Sequence, residues 1–164
     1  MESLRESMDE YRKQLGKGYI QKAYRGLMEY ISGLRLHLKN KYPDYIVSGS
    51  VQYGFMDYSY FYFFPESIKR RNLKIVILFV HDTFTFEAWL SGYNKIVQAK
   101  YWKLFKEGNW NKYSLAPSAK GFDYILNCTL ADNPDFSDPA ALTGLIEKRT
   151  LCFIQDVEDF LAKQ

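Results

Sequence analysis

Ile20, Tyr24, Leu27, Ile31, Leu34 and Leu38 recur in steps of three and four residues, and Lys22, Arg25, Glu29 and Lys39 lie mostly off that stripe. Such a period places the apolar side chains on one face of a helix. The helix is predicted over residues 19–42 and ends at Pro43, because the residue before a proline disfavours helical backbone. Leu4, Met8, Tyr11 and Leu15 step in the same way ahead of it. Ser3 and Glu6 have the spacing of a capping box, and "GKG" at 16–18 is a stop, so a first helix is expected over 3–15. Gly26 and Gly33 are seven residues apart on one side of the long helix. Glycine there costs helix stability, which predicts a neighbour packed close against it.

From Tyr45 to Leu90 the period changes to that of strands. "YIVSGSVQYGFM" is β-prone but interrupted by Gly49 and Gly54, so a bulged or split strand is expected. "DYSYFYFF" (57–64) follows and closes at Pro65, and "ESIKRRN" has room for one helical turn. "LKIVILFV" is apolar on both faces and reads as a central strand. After a short turn at "HDT", "FTFEAWL" alternates, with Phe84, Phe86, Ala88 and Leu90 on one face and Thr85, Glu87 and Trp89 on the other. Together these two runs form a hairpin.

Helical spacing then resumes. Asn94 can cap a helix over 94–107 that carries Val97, Tyr101, Leu104 and Phe105. Phe122, Ile125, Leu126 and Leu130 suggest another over 119–131. Asp138 followed by Pro139 starts a last one over 138–162, proline being favoured at the first helical position. The expected fold is α+β: a mainly antiparallel sheet of about four strands in the middle of the chain. Two N-terminal and about three C-terminal helices pack on it, in a single domain over 1–164.

Composition changes this picture in three ways. Of 164 residues, 14 are tyrosines, which pack like hydrophobes yet keep a polar tip and so suit pockets and interfaces. The net charge of +3 is too mild for the basic footprint of nucleic-acid binders, so nucleic acid is not an expected partner. Cys128 and Cys152 form no CxxC pair and read as small buried hydrophobes of a reducing compartment. No secretory signal and no apolar run of membrane-spanning length occurs, so a cytoplasmic protein with no membrane partner is expected.

The candidate chemistry concentrates in "DYSYFYFF". Alternation puts Tyr58, Tyr60, Tyr62 and Phe64 on one face and Ser59, Phe61 and Phe63 on the other. If the strands are neighbours, Glu87 and Trp89 share the tyrosine face. Tyr58, Tyr60, Tyr62, Glu87 and Trp89 would then make a ligand-binding wall of rings for stacking and polar tips for hydrogen bonds. The alternative is that the C-terminal helices cover this face and the tyrosines form a second core layer.

Other constellations are weaker. His81 and Asp82 are adjacent at a turn, and His37 is remote on the long helix. There is no HxH, HExxH, GxSxG, Walker loop or GxGxxG, so no metal and no cofactor is expected. A metal-dependent nuclease core would need an acid followed by an acid-x-lysine. Asp57 could supply the first acid, but Asn72-Leu73-Lys74 lacks the second, and Glu87 is followed by Trp89 where lysine belongs. Lys69, Arg70, Arg71 and Lys74, with the lysines at 95, 100, 103 and 106, read as solvated charge.

"GYIQKAYRGLMEYI", "GFMDYSYFYFFP", "LKIVILFVHDTFTFEAWLSGYNKIVQAKYW" and "NPDF", in this order, resemble a family of short uncharacterised bacterial proteins classed as a domain of unknown function. The resemblance spans residues 10–162 and implies a stand-alone bacterial domain, with no activity to carry across. The sequence therefore predicts a small binding or regulatory domain with an aromatic-lined face or pocket. Its partners would be a small molecule or peptide, or a second copy of the chain. The alternatives are a metal-dependent enzyme acting on nucleic acid or a phosphorylated substrate, with Asp57 and Glu87 as its acids, and a homo-oligomeric interaction protein.

Overall fold

The chain's structure is a computed structural model that describes residues 3–164, so the first two residues of the expected domain lie outside it. In order, the elements are α1 (Leu4–Lys17), α2 (Tyr19–Lys41), β1 (Ile46–Val47), β2 (Tyr58–Phe64), α3 (Glu66–Lys69), β3 (Leu73–Val80) and β4 (Thr85–Gly92). They continue with α4 (Lys95–Glu107), β5 (Ser114–Leu115), β6 (Leu126–Asp132) and α5 (Pro139–Ala162). The fold is α+β. Its strands form one antiparallel sheet in the order β1-β2-β3-β4-β6-β5.

The helix starts follow their capping chemistry. The Ser3 hydroxyl accepts from the Glu6 amide while the Glu6 carboxylate accepts from the Ser3 amide, completing the capping box. Gly18, left-handed at φ 78°, ends α1 and leaves one residue between the first two helices. Asn94 Oδ1 accepts from the amides of Ile96 and Val97, and Asp138 from that of Ala141 ahead of Pro139.

The inner face of the sheet carries the main core. Phe61 and Phe63 of β2, Ile75, Ile77 and Phe79 of β3, and Phe86, Ala88 and Leu90 of β4 are fully covered. Met28, Ile31, Leu34 and Leu38 of α2, Phe105 of α4 and Phe153 and Val157 of α5 pack onto the same core. Each of these side chains larger than alanine contributes about 1.5–3 kcal/mol of burial. The two long helices are also joined by a polar clasp. Glu147 of α5 accepts from His37 Nε2 (2.9 Å), from Tyr42 Oη (2.5 Å) and from Lys41 Nζ (2.6 Å). His37 therefore serves in this clasp.

Several expectations need correction. Residues 119–131 are not a helix: 126–132 is strand β6, which pairs with β4 and brings the sheet to six strands with β1 and β5. Leu126, Cys128 and Leu130 alternate inward and Asn127 and Thr129 outward, so the period is two. Phe122, which completed the apparent helical spacing, lies in the preceding loop and is exposed. No close neighbour explains Gly26 or Gly33, since a Cβ built on either meets nothing within 4 Å. Cys128 is buried, but Cys152 is exposed on α5. Phe64 joins the main core at the end of β2 instead of staying with the tyrosines.

Candidate functional site

On the outer face of the sheet, register sets the side chains in cross-strand rows. Tyr58 lies beside Val80 and Thr85, Tyr60 beside Leu78 and Glu87, and Tyr62 beside Val76 and Trp89. The middle strand thus contributes short aliphatics between a ridge of tyrosines on β2 and the Trp89 indole on β4. This makes a valley. Its apolar cluster is Val76, Leu78, Val80 and Trp89, flanked by Tyr58, Tyr60, Tyr62 and Tyr124, and among the described residues it receives no side chain from a helix. The helices did not cover this face; α2, α4 and α5 pack their apolar sides on the opposite one, and only the first turn of α4 reaches the rim.

The valley opens into a recess of about 470 Å³. Tyr58, Tyr60 and Tyr62 are half-buried along one wall, and Trp89, 8% exposed, is the floor. Tyr58 meets the indole edge-on at 5.1 Å between ring centroids, and Tyr124 packs on it at 5.0 Å. Glu87 lies beneath the surface and outside the lining. Its Oε2 accepts from Trp89 Nε1 (2.7 Å) and its Oε1 from Thr85 Oγ1 (3.0 Å), so the carboxylate fixes the indole and has no contact with the recess.

The far wall joins Ser91, on the same face of β4 as Trp89, to residues that alternation could not reveal. Ser91 Oγ donates to the Asp123 carbonyl at 2.6 Å, drawing the 117–124 loop over the edge of β4. Gln98 ties the same region to α4: its Oε1 accepts from the Gly92 amide (2.6 Å) and its Nε2 donates to the Phe122 carbonyl (3.3 Å). Gly92 has no room for a side chain, since a Cβ would stand 2.4 Å from the Gln98 backbone nitrogen. The first turn of α4 therefore sits directly on the end of β4.

The electrostatics of the rim are mixed but lean positive. Lys74 places its ammonium 5.2 Å from the centre of the Tyr62 ring, a cation–π contact. Lys95 opens α4, and Asp123 is the one carboxylate among the lining residues. No acidic residue stands in the first turn of α4, so Lys95 lies at the positive end of the helix dipole without local compensation. Burial raises the phenol pKa values of Tyr58 and Tyr60 above an ordinary value that already leaves both hydroxyls protonated and able to donate at neutral pH.

The remaining candidates are engaged elsewhere. Asp57 Oδ1 accepts from the amides of Phe55 (2.9 Å) and Tyr58 (2.7 Å), holding a turn and lying below its ordinary pKa for that reason. His81 Nε2 shares a 2.9 Å hydrogen bond with the fully buried Ser59 hydroxyl, and burial lowers its pKa. Lys69 and Arg70 flank Glu66 at 4.0 Å, and Lys103 flanks Glu107 at 3.7 Å, all on exposed surface. Among the described residues no three His, Cys, Asp or Glu side chains cluster as metal ligands would. Nor is any of their helices long and apolar enough to cross a membrane.

No curated protein and no solved structure matches the chain significantly. One family does match, and it covers nearly all of the sequence: over residues 4–161 the chain belongs to DUF7000, a domain of unknown function.

Proposed function

We propose that the protein is a small cytoplasmic binding or regulatory domain whose outer-face recess takes a planar organic ligand bearing an anionic group. The observation that carries this reading is the open, aromatic-walled recess on a sheet face that no helix covers. Its volume falls in the range of small-molecule sites, and its lining has their usual make-up of apolar surface with a few polar groups. A flat ring would stack against Tyr60 and Tyr62 above Val76 and Leu78. Its anionic group would lie towards Lys74 and Lys95, where it would also offset the unfavourable placing of a cation at the start of α4. Glu87 acts as a positioning residue that holds Trp89. A peptide ligand would have to supply the same chemistry through an aromatic side chain beside a carboxylate.

Calorimetric titration with 2-naphthoate tests the reading. Saturable binding is expected in the wild type, weakened about tenfold in Tyr60→Ala, the scale of one aromatic contact. Lys74→Gln should weaken it by a similar factor and remove much of its salt dependence. Uncharged 2-methylnaphthalene binding as well as the carboxylate would defeat the anionic part of the proposal. Equal heats for the wild type and Tyr60→Ala would defeat the site.

The metal-dependent alternative draws little support from Asp57 and Glu87. The first carboxylate caps a turn and the second is tied to Trp89 and Thr85.

A further inference from the structure

Away from the recess, α1 has an apolar stripe that the described residues leave largely open. Leu4, Met8 and Tyr11 are 79%, 52% and 51% exposed, and no residue of the helix is buried. A capped, 14-residue amphipathic helix whose apolar stripe the described residues leave open from Leu4 to Tyr11 is unusual, because most helical stability comes from packing the apolar face. Close to where α1 joins the body lies an apolar groove of about 730 Å³, lined by Ile20, Tyr24 and Leu27 of α2 and by Met56, Phe84 and Phe136.

Two features of this groove need a reason. Met56 and Phe84 have φ of 62° and 56°, and among the described residues they are the only ones with positive φ that are neither glycine nor asparagine. Left-handed backbone at such side chains is strained, and it is held here at two turns that both present apolar groups to the same groove. Gly26 also lines the groove, in the middle of α2, with no atom of its own chain near enough to require it. A glycine on an open helix face allows a second helix to approach closely.

The geometry points to α1 of a second copy as the occupant, exchanged reciprocally in a two-fold dimer. The chain's own α1 is a poor fit because α1 runs to Lys17 and α2 begins at Tyr19. One residue is too short for the antiparallel hairpin that would lay α1 back along α2. Size agrees with the exchange. A helix of 14 residues is about 21 Å long and ~10 Å across, so one face offers on the order of 350 Å². Two such helices in two grooves would bury about 1,400 Å², within the range of specific interfaces. The exchange is isologous and closes on itself, so it stops at a dimer.

Analytical ultracentrifugation of the full chain tests this, with Met8→Asp on the helix and Gly26→Trp in the groove. Both positions are solvent-facing within one chain, so near-ultraviolet circular dichroism should show the sheet core unchanged, while α1 helicity and the melting point fall with the lost dimer contact. The expected result is a wild-type dimer that becomes a monomer in each variant. In a Cys152→Ser background, chains carrying Met8→Cys mixed with chains carrying Gly26→Cys should form a disulfide-linked heterodimer under mild oxidation. A wild-type monomer at high micromolar concentration would overturn the proposal. So would a dimer that survives either substitution, or one lost in Met8→Asp but not in Gly26→Trp, since α1 would then be paired elsewhere.

Discussion

At Gly92 the absence of one methyl group decides where α4 begins. The Gln98 amide nitrogen and Cα lie 2.4 Å and 2.7 Å from where a Cβ would stand, and both are backbone, which cannot swing aside. Gly92→Ala should therefore displace the first turn of α4, lower stability by about 1–3 kcal/mol as overpacking does, and distort the recess wall. Thermal melting of Gly92→Ala beside Gly49→Ala, a position with nothing within 4 Å, separates this effect from loss of glycine alone. An unchanged melting point for Gly92→Ala would mean that α4 does not press on β4 as described. At this scale the sequence revealed part of the site. Strict alternation on β2 and β4 was enough to put Tyr58, Tyr60, Tyr62 and Trp89 on one face. Lys74 shares a face of β3 with Val76 and Leu78, so alternation could have placed it there as well. Gln98, Phe122 and Asp123 could not be read, because they reach the recess through hydrogen bonds between a loop, a strand end and a helix that are distant in sequence. Glu87 was legible as a neighbour of the tyrosines but not as a group fully occupied by Trp89 and Thr85.

Among the elements, the α2–α5 pair carries a pH dependence with a definite sign. Burial alone would raise the Glu147 pKa, but hydrogen bonds from Lys41, Tyr42 and His37 outweigh it and bring it from 4.5 down to about 2. A carboxylate with a lower pKa in the folded state stabilises fully above its unfolded value, and this stability is lost as the pH falls through the folded value. The clasp should therefore weaken between about pH 4.5 and pH 2, by on the order of 2–3 kcal/mol. Urea unfolding across that range should show the loss in the wild type and a much flatter profile in Glu147→Gln; matching slopes would rule the clasp out as its source. Gly33 offers an opposite test on the same helix. With open space around it, Gly33→Ala should raise stability by about 0.5–1 kcal/mol through helix propensity, and a destabilised variant would mean a neighbour does press there. Long elements with clean periods and caps were readable to within a residue or two, as α1, α2, α4 and α5 illustrate. β6 was not, because Ile125 and Leu126 are both buried where the chain turns into the strand, and with Phe122 and Leu130 they mimic a helical stripe.

Across the whole molecule, the decisive fact is one-sided layering. A sheet with helices on a single face leaves its other face to protect itself, and here the tyrosines of β2 and the indole of β4 lean over the short side chains of β3. Val76, Leu78 and Val80 are thereby buried without a second helical layer. Sequence could place the aromatic row but not decide whether it was core or recess, since that depends on how five helices divide between two faces. The central claim, that this face receives a planar anionic ligand, is tested most directly by carbon–proton NMR of tyrosine-labelled protein titrated with 2-naphthoate. The ring signals of Tyr58, Tyr60 and Tyr62 should shift together and saturate, while those of Tyr19 and Tyr113, which do not line the recess, should stay still. Shifts that never saturate, or that are as large at Tyr19 and Tyr113, would contradict it.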